Sequence, residues 1–214
     1  PVRAMLGTTE SALGRIPDLR EQATGLRGQP SQIIGGYTEI NQTLLAAVAV
    51  GVRQNRNPTV AVQMQAYLAL LSAKEAAGIE RAQLANVFTV GRFAEGQLNT
   101  VVSLIAGQQA YVTVFERAAS AEMLERWTRV KTSTVVADVS AIEKTALDRA
   151  ATGGFGVQPS IWFDAATNKI NLYKEIENVQ AGSILGTAKA AEADALRVAW
   201  TALLAAGALV ALTL

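Results

Sequence analysis

From about Val60 to Val90 the chain runs for some thirty residues with helical periodicity and without a proline, and that run sets cations where apolar side chains are expected. At about 100° per residue, Val60, Tyr67, Leu71, Lys74, Gly78, Arg81 and Ala85 fall within roughly 40° of one line down the helix. Met64, Leu70 and Phe88 flank that line, whereas Gln65, Ala76, Glu80 and Gln83 lie opposite. On this reading Lys74 and Arg81 point inward, one heptad and about 10 Å apart. An unpaired buried charge costs several kcal/mol, so each needs an acidic partner or an anion unless its stem snorkels to water. Gly78 between them suggests the close approach of a backbone or a ligand, because glycine costs roughly 1 kcal/mol inside a helix.

A helix of that length needs partners, and the rest of the chain supplies helices alone. Nothing between Pro1 and Ala151 reads as a strand. Half of the residues are hydrophobic but only 6% are aromatic, a balance typical of a helical bundle. Met5, Leu13, Ile16, Leu19, Ala23 and Leu26 keep helical spacing, with a kink or local break expected at Ile16-Pro17-Asp18. Ser31 is the expected N-cap of a helix reaching Arg53, its first turns weakened by Gly35-Gly36. Gly91 to Gly96 predicts a tight reversal, after which Val101, Leu104, Ile105, Gln108, Tyr111, Val112 and Phe115 face inward on a helix from Gln97. One further helix, capped by Ser120, is expected to reach Ala150 with Met123, Trp127, Val130, Thr134, Val135, Val139, Ile142 and Leu147 inward. Residues 152–159 lack the strand and the G-x-x-x-x-G-K-[ST] frame of a phosphate loop and read as a connector to a last helix capped by Ser160. There Trp162, Ala166, Lys169, Tyr173 and Ile176 share a line, so Lys169 also looks inward.

Composition excludes several chemistries. The chain has neither cysteine nor histidine, so Ser-His-Asp and Cys-His nucleophiles, thiolate metal sites and His metal sites are ruled out. No metal or cofactor is expected, and catalysis is not. The net charge of +1 comes from 19 basic and 18 acidic residues without a basic stripe, which argues against nucleic acid as a partner. Residues 198–214 (VAWTALLAAGALVALTL) are free of charge and follow Arg197. They read as the beginning of a transmembrane helix over 196–214, leaving 1–195 as the helical domain.

The chain resembles the nitrate- and nitrite-sensing (NIT) domain, the extracytoplasmic sensor region of many bacterial receptors, including histidine kinases and chemoreceptors. The resemblance rests chiefly on KEAAGIERAQLANVF at Lys74 to Phe88, similar to the family's central K-E-x-A-G-x-E-R-A signature. It is supported by IPDLREQ at Ile16 to Gln22, GYTEINQTLL at Gly36 to Leu45, GQQAYVTVFERAA at Gly107 to Ala119 and WFDAATNKINLYKEIENV at Trp162 to Val179. It implies an all-α fold of two stacked antiparallel helical bundles sharing long helices. It further implies a homodimer that binds nitrate, nitrite or a similar small anion and signals through its last helix to a cytoplasmic output domain. Arg81 and Lys74 fall on the signature, and Lys169 falls where the family often carries a basic residue after the tryptophan. The family's usual first helix, with its Q-x-E-R-G-type motif, is expected upstream of Pro1. The competing reading is a membrane-tethered structural bundle in which Lys74 and Arg81 pair with acids such as Glu116, Asp138 or Glu143.

Overall fold

The computed structural model describes residues 2–25, 27 and 29–212, with the side chains of 2, 3, 30, 195, 196 and 198–212 left aside. Among the described residues it is built of eight helices and no strand: α1 (Val2–Leu13), α2 (Ile16–Thr24), α3 (Pro30–Gln54), α4 (Pro58–Val90), α5 (Gln97–Ala118), α6 (Ala121–Lys131), α7 (Thr134–Asp148) and α8 (Pro159–Leu212). The all-α expectation holds. α4 is the axis of the molecule. α5, the α6–α7 column and α8 surround its C-terminal two thirds as an up-down-up-down four-helix bundle, and α3 with α1 and α2 forms a second helical layer on its other flank.

Three apolar clusters follow that division. One joins Ala66, Leu70 and Ala73 of α4 to Phe115, Met123, Trp127 and Tyr173. A second joins Leu84, Val87 and Phe88 to Val101, Val139, Phe155 and Trp162. The third is small, with Ala12, Leu19 and Ile40 tying α1 and α2 to α3.

Local chemistry explains where elements start and stop. Asn57 caps α4 by accepting from the Val60 amide at 3.1 Å, and Gly91 ends it in the left-handed region. The reversal expected at Gly91 to Gly96 is present, with Gly96 also left-handed at φ 74°. Ser120 caps α6 as expected. α3 begins at Pro30 rather than after a Ser31 cap, since proline suits a first helical position. α8 likewise begins at Pro159, one residue before Ser160.

Four expectations change. The single helix expected from Ser120 to Ala150 is two, because Ser133 restarts the helix as N-cap by accepting from the Val136 amide. That break resets the phase, and Thr134 and Leu147 come out exposed. Tyr111 is exposed as well, on the outer flank of α5. Gly35-Gly36 does not weaken α3. Gly36 instead receives α2, since a Cβ there would lie 2.7 Å from Leu19 Cδ2.

The fourth change concerns α4 itself. Its buried line is Ala66, Ala69, Ala73, Ala76 and Ala77, Glu80, Leu84 and Val87, turned by about a third of a turn from the line of Tyr67, Leu71, Lys74 and Arg81. Alanines let the α5 and α8 backbones close in, so the most buried stripe is one of small residues. The larger side chains fill the seams on either side. Glu80 and Ala76, expected outside, are therefore in the core.

The backbone of α8 is helical to Leu212. Among the described residues no helix is long and apolar enough to cross a membrane. The apolar side chains of 198–214, on which the transmembrane expectation rests, lie outside the described residues.

Candidate functional site

α4 and α8 run antiparallel, and Trp162 pins their crossing: its indole N–H donates to the Arg81 carbonyl at 2.8 Å. Beside it lies the Arg81 guanidinium. One of its nitrogens donates to Thr167 Oγ1 at 2.8 Å, and its carbon sits 4.5 Å from the centre of the Phe163 ring. Among the described residues no carboxylate is within ion-pair distance of it. Burial alone lowers its pKa, as for a cation that has lost water and gained no counter-charge. A guanidinium carries five N–H donors and stays protonated, so most of its donor fork is open to an incoming oxyanion.

Lys74 sits two turns earlier on the same flank of α4, and its ammonium pairs with Glu177 of α8. The pair closes one end of a cavity of about 420 Å³ between α3, α4 and α8, lined also by Asn41, Tyr67, Leu71 and Glu75. Burial raises the Glu75 carboxyl, against the opposing pull of Asn41, which donates to it at 2.6 Å, and of Lys74.

Lys169 is inward as expected, only 8% exposed, but faces the other side of α8. Its ammonium lies 3.2 Å from Glu143 Oε1 of α7. Burial works against that charge, yet Glu143, Tyr173 and Glu80 outweigh it and the net shift is upward. Glu80, 1% exposed, completes the group and accepts from Gln108 Nε2 at 2.6 Å. Burial first and Glu143 second push its carboxyl up to about 8, against the pull of Lys169 and Gln108.

The three expected cations are thus not one constellation. Lys74 and Arg81 look into the α4–α8 seam; Lys169 belongs to an ionic core with Glu80, Gln108, Glu143 and Tyr173. Of the acids weighed as partners, Glu143 takes Lys169, Glu116 takes Lys131 and the Trp127 indole, and Asp138 is exposed. Glu80 and Gln108 were not singled out as site residues. The signal that finds them is the 3-4 spacing of alanines along α4, on which Glu80 falls.

Helix count, seam and ionic core define an all-helical domain that presents an anion-competent arginine between its two longest helices. Residues 1–185 match the family described as nitrate and nitrite sensing, and the chain belongs to that family. It is similar to the solved structure of the NasR transcription antiterminator, with a TM-score of 0.77 and 23% identity over 88% of this chain and 51% of that one. At that identity the likeness carries the fold alone, and the chain spans about half the length of the NasR chain. No curated protein sequence matches it.

Proposed function

We propose that the chain is the sensor module of a bacterial transmembrane signalling receptor, placed outside the cytoplasmic membrane. It binds nitrate, nitrite or a similar small planar anion at Arg81 and passes the change along α8 to an output domain. One observation carries the site: Arg81 is the inward cation of the three whose charge meets no carboxylate, while Lys74 and Lys169 are each paired. A planar monoanion matches two arms of the guanidinium fork, and Phe163 covers the opposite face without consuming a donor. A structural bundle that uses Arg81 as half of an ion pair would put an acid where Thr167 and Phe163 stand.

Transmission has a direct route. Thr167, which holds Arg81, and Glu177, which holds Lys74, are both on α8, so an anion that draws Arg81 from Thr167 acts on the helix that leads out of the bundle. The dimer that the resemblance implies would bring two such helices side by side.

The test is a set of melts of wild type and Arg81→Ala, with and without nitrate. Nitrate at 100 times its dissociation constant should stabilise wild type by about 2.7 kcal/mol and the variant hardly at all. Without ligand the variant should lose little stability, since no carboxylate is stranded. Equal stabilisation of both proteins would remove Arg81 from the site.

A further inference from the structure

In the four-helix bundle, α5 and the α6–α7 column stand apart around a groove of about 420 Å³. Its walls are apolar: Val102 and Ile105 of α5 face Val136 and Leu147 of α7, and Trp127 closes one end. Val102 is 46% exposed, so apolar wall is left open to water at the mouth. The floor is polar and buried, made of Gln108, Glu143, Lys169 and Tyr173 with Glu80 directly behind Gln108. Apolar walls over a few convergent polar groups are the usual build of a small-molecule site.

The floor is incompletely satisfied, and what is missing has one sign. Gln108 is 95% buried and lines the groove, yet its Oε1 has no hydrogen-bond partner; the same holds for Glu80 Oε1 behind it. Both orphans are acceptors, so the missing group is a donor. Charges agree. With Glu80 and Glu143 ionised against Lys169, the floor carries one excess negative charge, since at the rim Lys131 is already paired with Glu116. A small anion would meet the Glu143 carboxylate, and a divalent cation would meet the Lys169 ammonium. A monocation with N–H donors satisfies the Gln108 acceptor that lines the groove, and the charge.

We infer that this groove is a second ligand site, separate from Arg81, for a small organic monocation with N–H donors and a short apolar tail, a protonated primary amine being the simplest. The head lies on Gln108 Oε1 and Glu143, and the tail lies between Val102, Ile105 and Leu147. In the empty site the place of the excess charge is taken by a proton shared within the Glu80–Glu143 pair. That pair faces Lys169 and Tyr173 of α8 and Gln108 of α5, so cation entry expels the proton.

Calorimetric titration of the full chain with n-butylammonium chloride tests this, with 1-butanol as the uncharged probe of the same shape. The ammonium stays protonated throughout, its pKa resembling that of lysine at about 10.4. Affinity should rise about tenfold between pH 6 and pH 7 and level off above pH 8. At pH 6 close to one proton should be released per cation, read from heats in buffers of different ionisation enthalpy. Glu80→Gln should bind more weakly and lose the pH dependence. Val102→Trp, which fills the mouth from a half-exposed position, should block binding while melting like wild type. Saturating nitrate should not compete. No heat up to about 10 mM cation would overturn the inference. So would equal affinity for 1-butanol, undiminished binding to Val102→Trp, or the same pH dependence in Glu80→Gln.

Discussion

What stands opposite each inward cation decides what its removal does. Lys169→Met leaves Glu143 and Glu80 facing each other in the core, and breaking a buried pair in this way should cost about 3 to 5 kcal/mol in denaturant melts. Lys74→Met should cost clearly less, because its pair with Glu177 is more open to water. The ionic core also sets a pH dependence. The Glu80 carboxyl is raised from 4.5 to about 8, so between those values the folded chain holds a proton that the unfolded chain has lost. Stability therefore falls as pH rises from about 5 to 8, with a slope of at most about 1.4 kcal/mol per unit, and flattens above that. Lys169, raised as well, keeps its contribution until strongly alkaline pH. Chemical denaturation at pH 5.5, 6.5 and 7.5 measures the slope, and Glu80→Gln should abolish most of it. Of these residues, the inward Lys169 was legible from its line with Trp162, Ala166, Tyr173 and Ile176. Glu80 was not, because a line drawn through the bulky side chains of α4 misses a core built on alanine.

Two glycines separate what helix chemistry alone predicts from what tertiary contact adds. Gly78 was expected to mark a close approach, but a Cβ there would meet nothing within 4 Å. Gly78→Ala should therefore raise stability by about 0.5 to 1 kcal/mol through helix propensity, and nitrate binding should survive it. Gly153 is the reverse. Its φ is 67°, and a Cβ would stand 2.5 Å from the Gly91 carbonyl oxygen, which also accepts from the Gly154 amide at 3.0 Å. Gly153→Ala should cost more than the 1 to 2 kcal/mol of a left-handed alanine, lowering the melting temperature by several degrees. Residues 152–159 do connect α7 to α8, but the connector reading missed that the stretch carries core. Phe155 is buried there, edge-on to Phe88 at 5.4 Å and to Phe93 at 5.7 Å. The reversal at Gly91 to Gly96 was legible because two glycines announce it. The break at Ser133 was not, because Lys131-Thr132-Ser133 contains neither glycine nor proline and apolar spacing continues on both sides.

Across the whole molecule the described core is unevenly shared, and that predicts the order in which it opens. α4, α5 and α8 hold large apolar clusters, aromatic contacts and the ionic core, whereas α1 and α2 meet α3 through Ala12, Leu19 and Ile40. Local opening free energy follows buried apolar contact, so amide protons of α1 and α2 should exchange at free energies well below those of mid-α4 and mid-α5. Nitrate adds a second pattern. An anion at Arg81 bonds across the α4–α8 seam, so protection should rise around 77–88 and 162–172 and stay unchanged in α1 and α2. A site between the outer layer and the bundle, in the cavity of Asn41, Tyr67 and Lys74, would instead slow exchange in α3 together with α4. Hydrogen exchange by mass spectrometry, with and without nitrate, separates the two. Protection confined to the seam supports Arg81, protection that includes α3 moves the anion to the Lys74 cavity, and α1 and α2 exchanging as slowly as α4 would contradict the division into a strong bundle and a weaker outer layer.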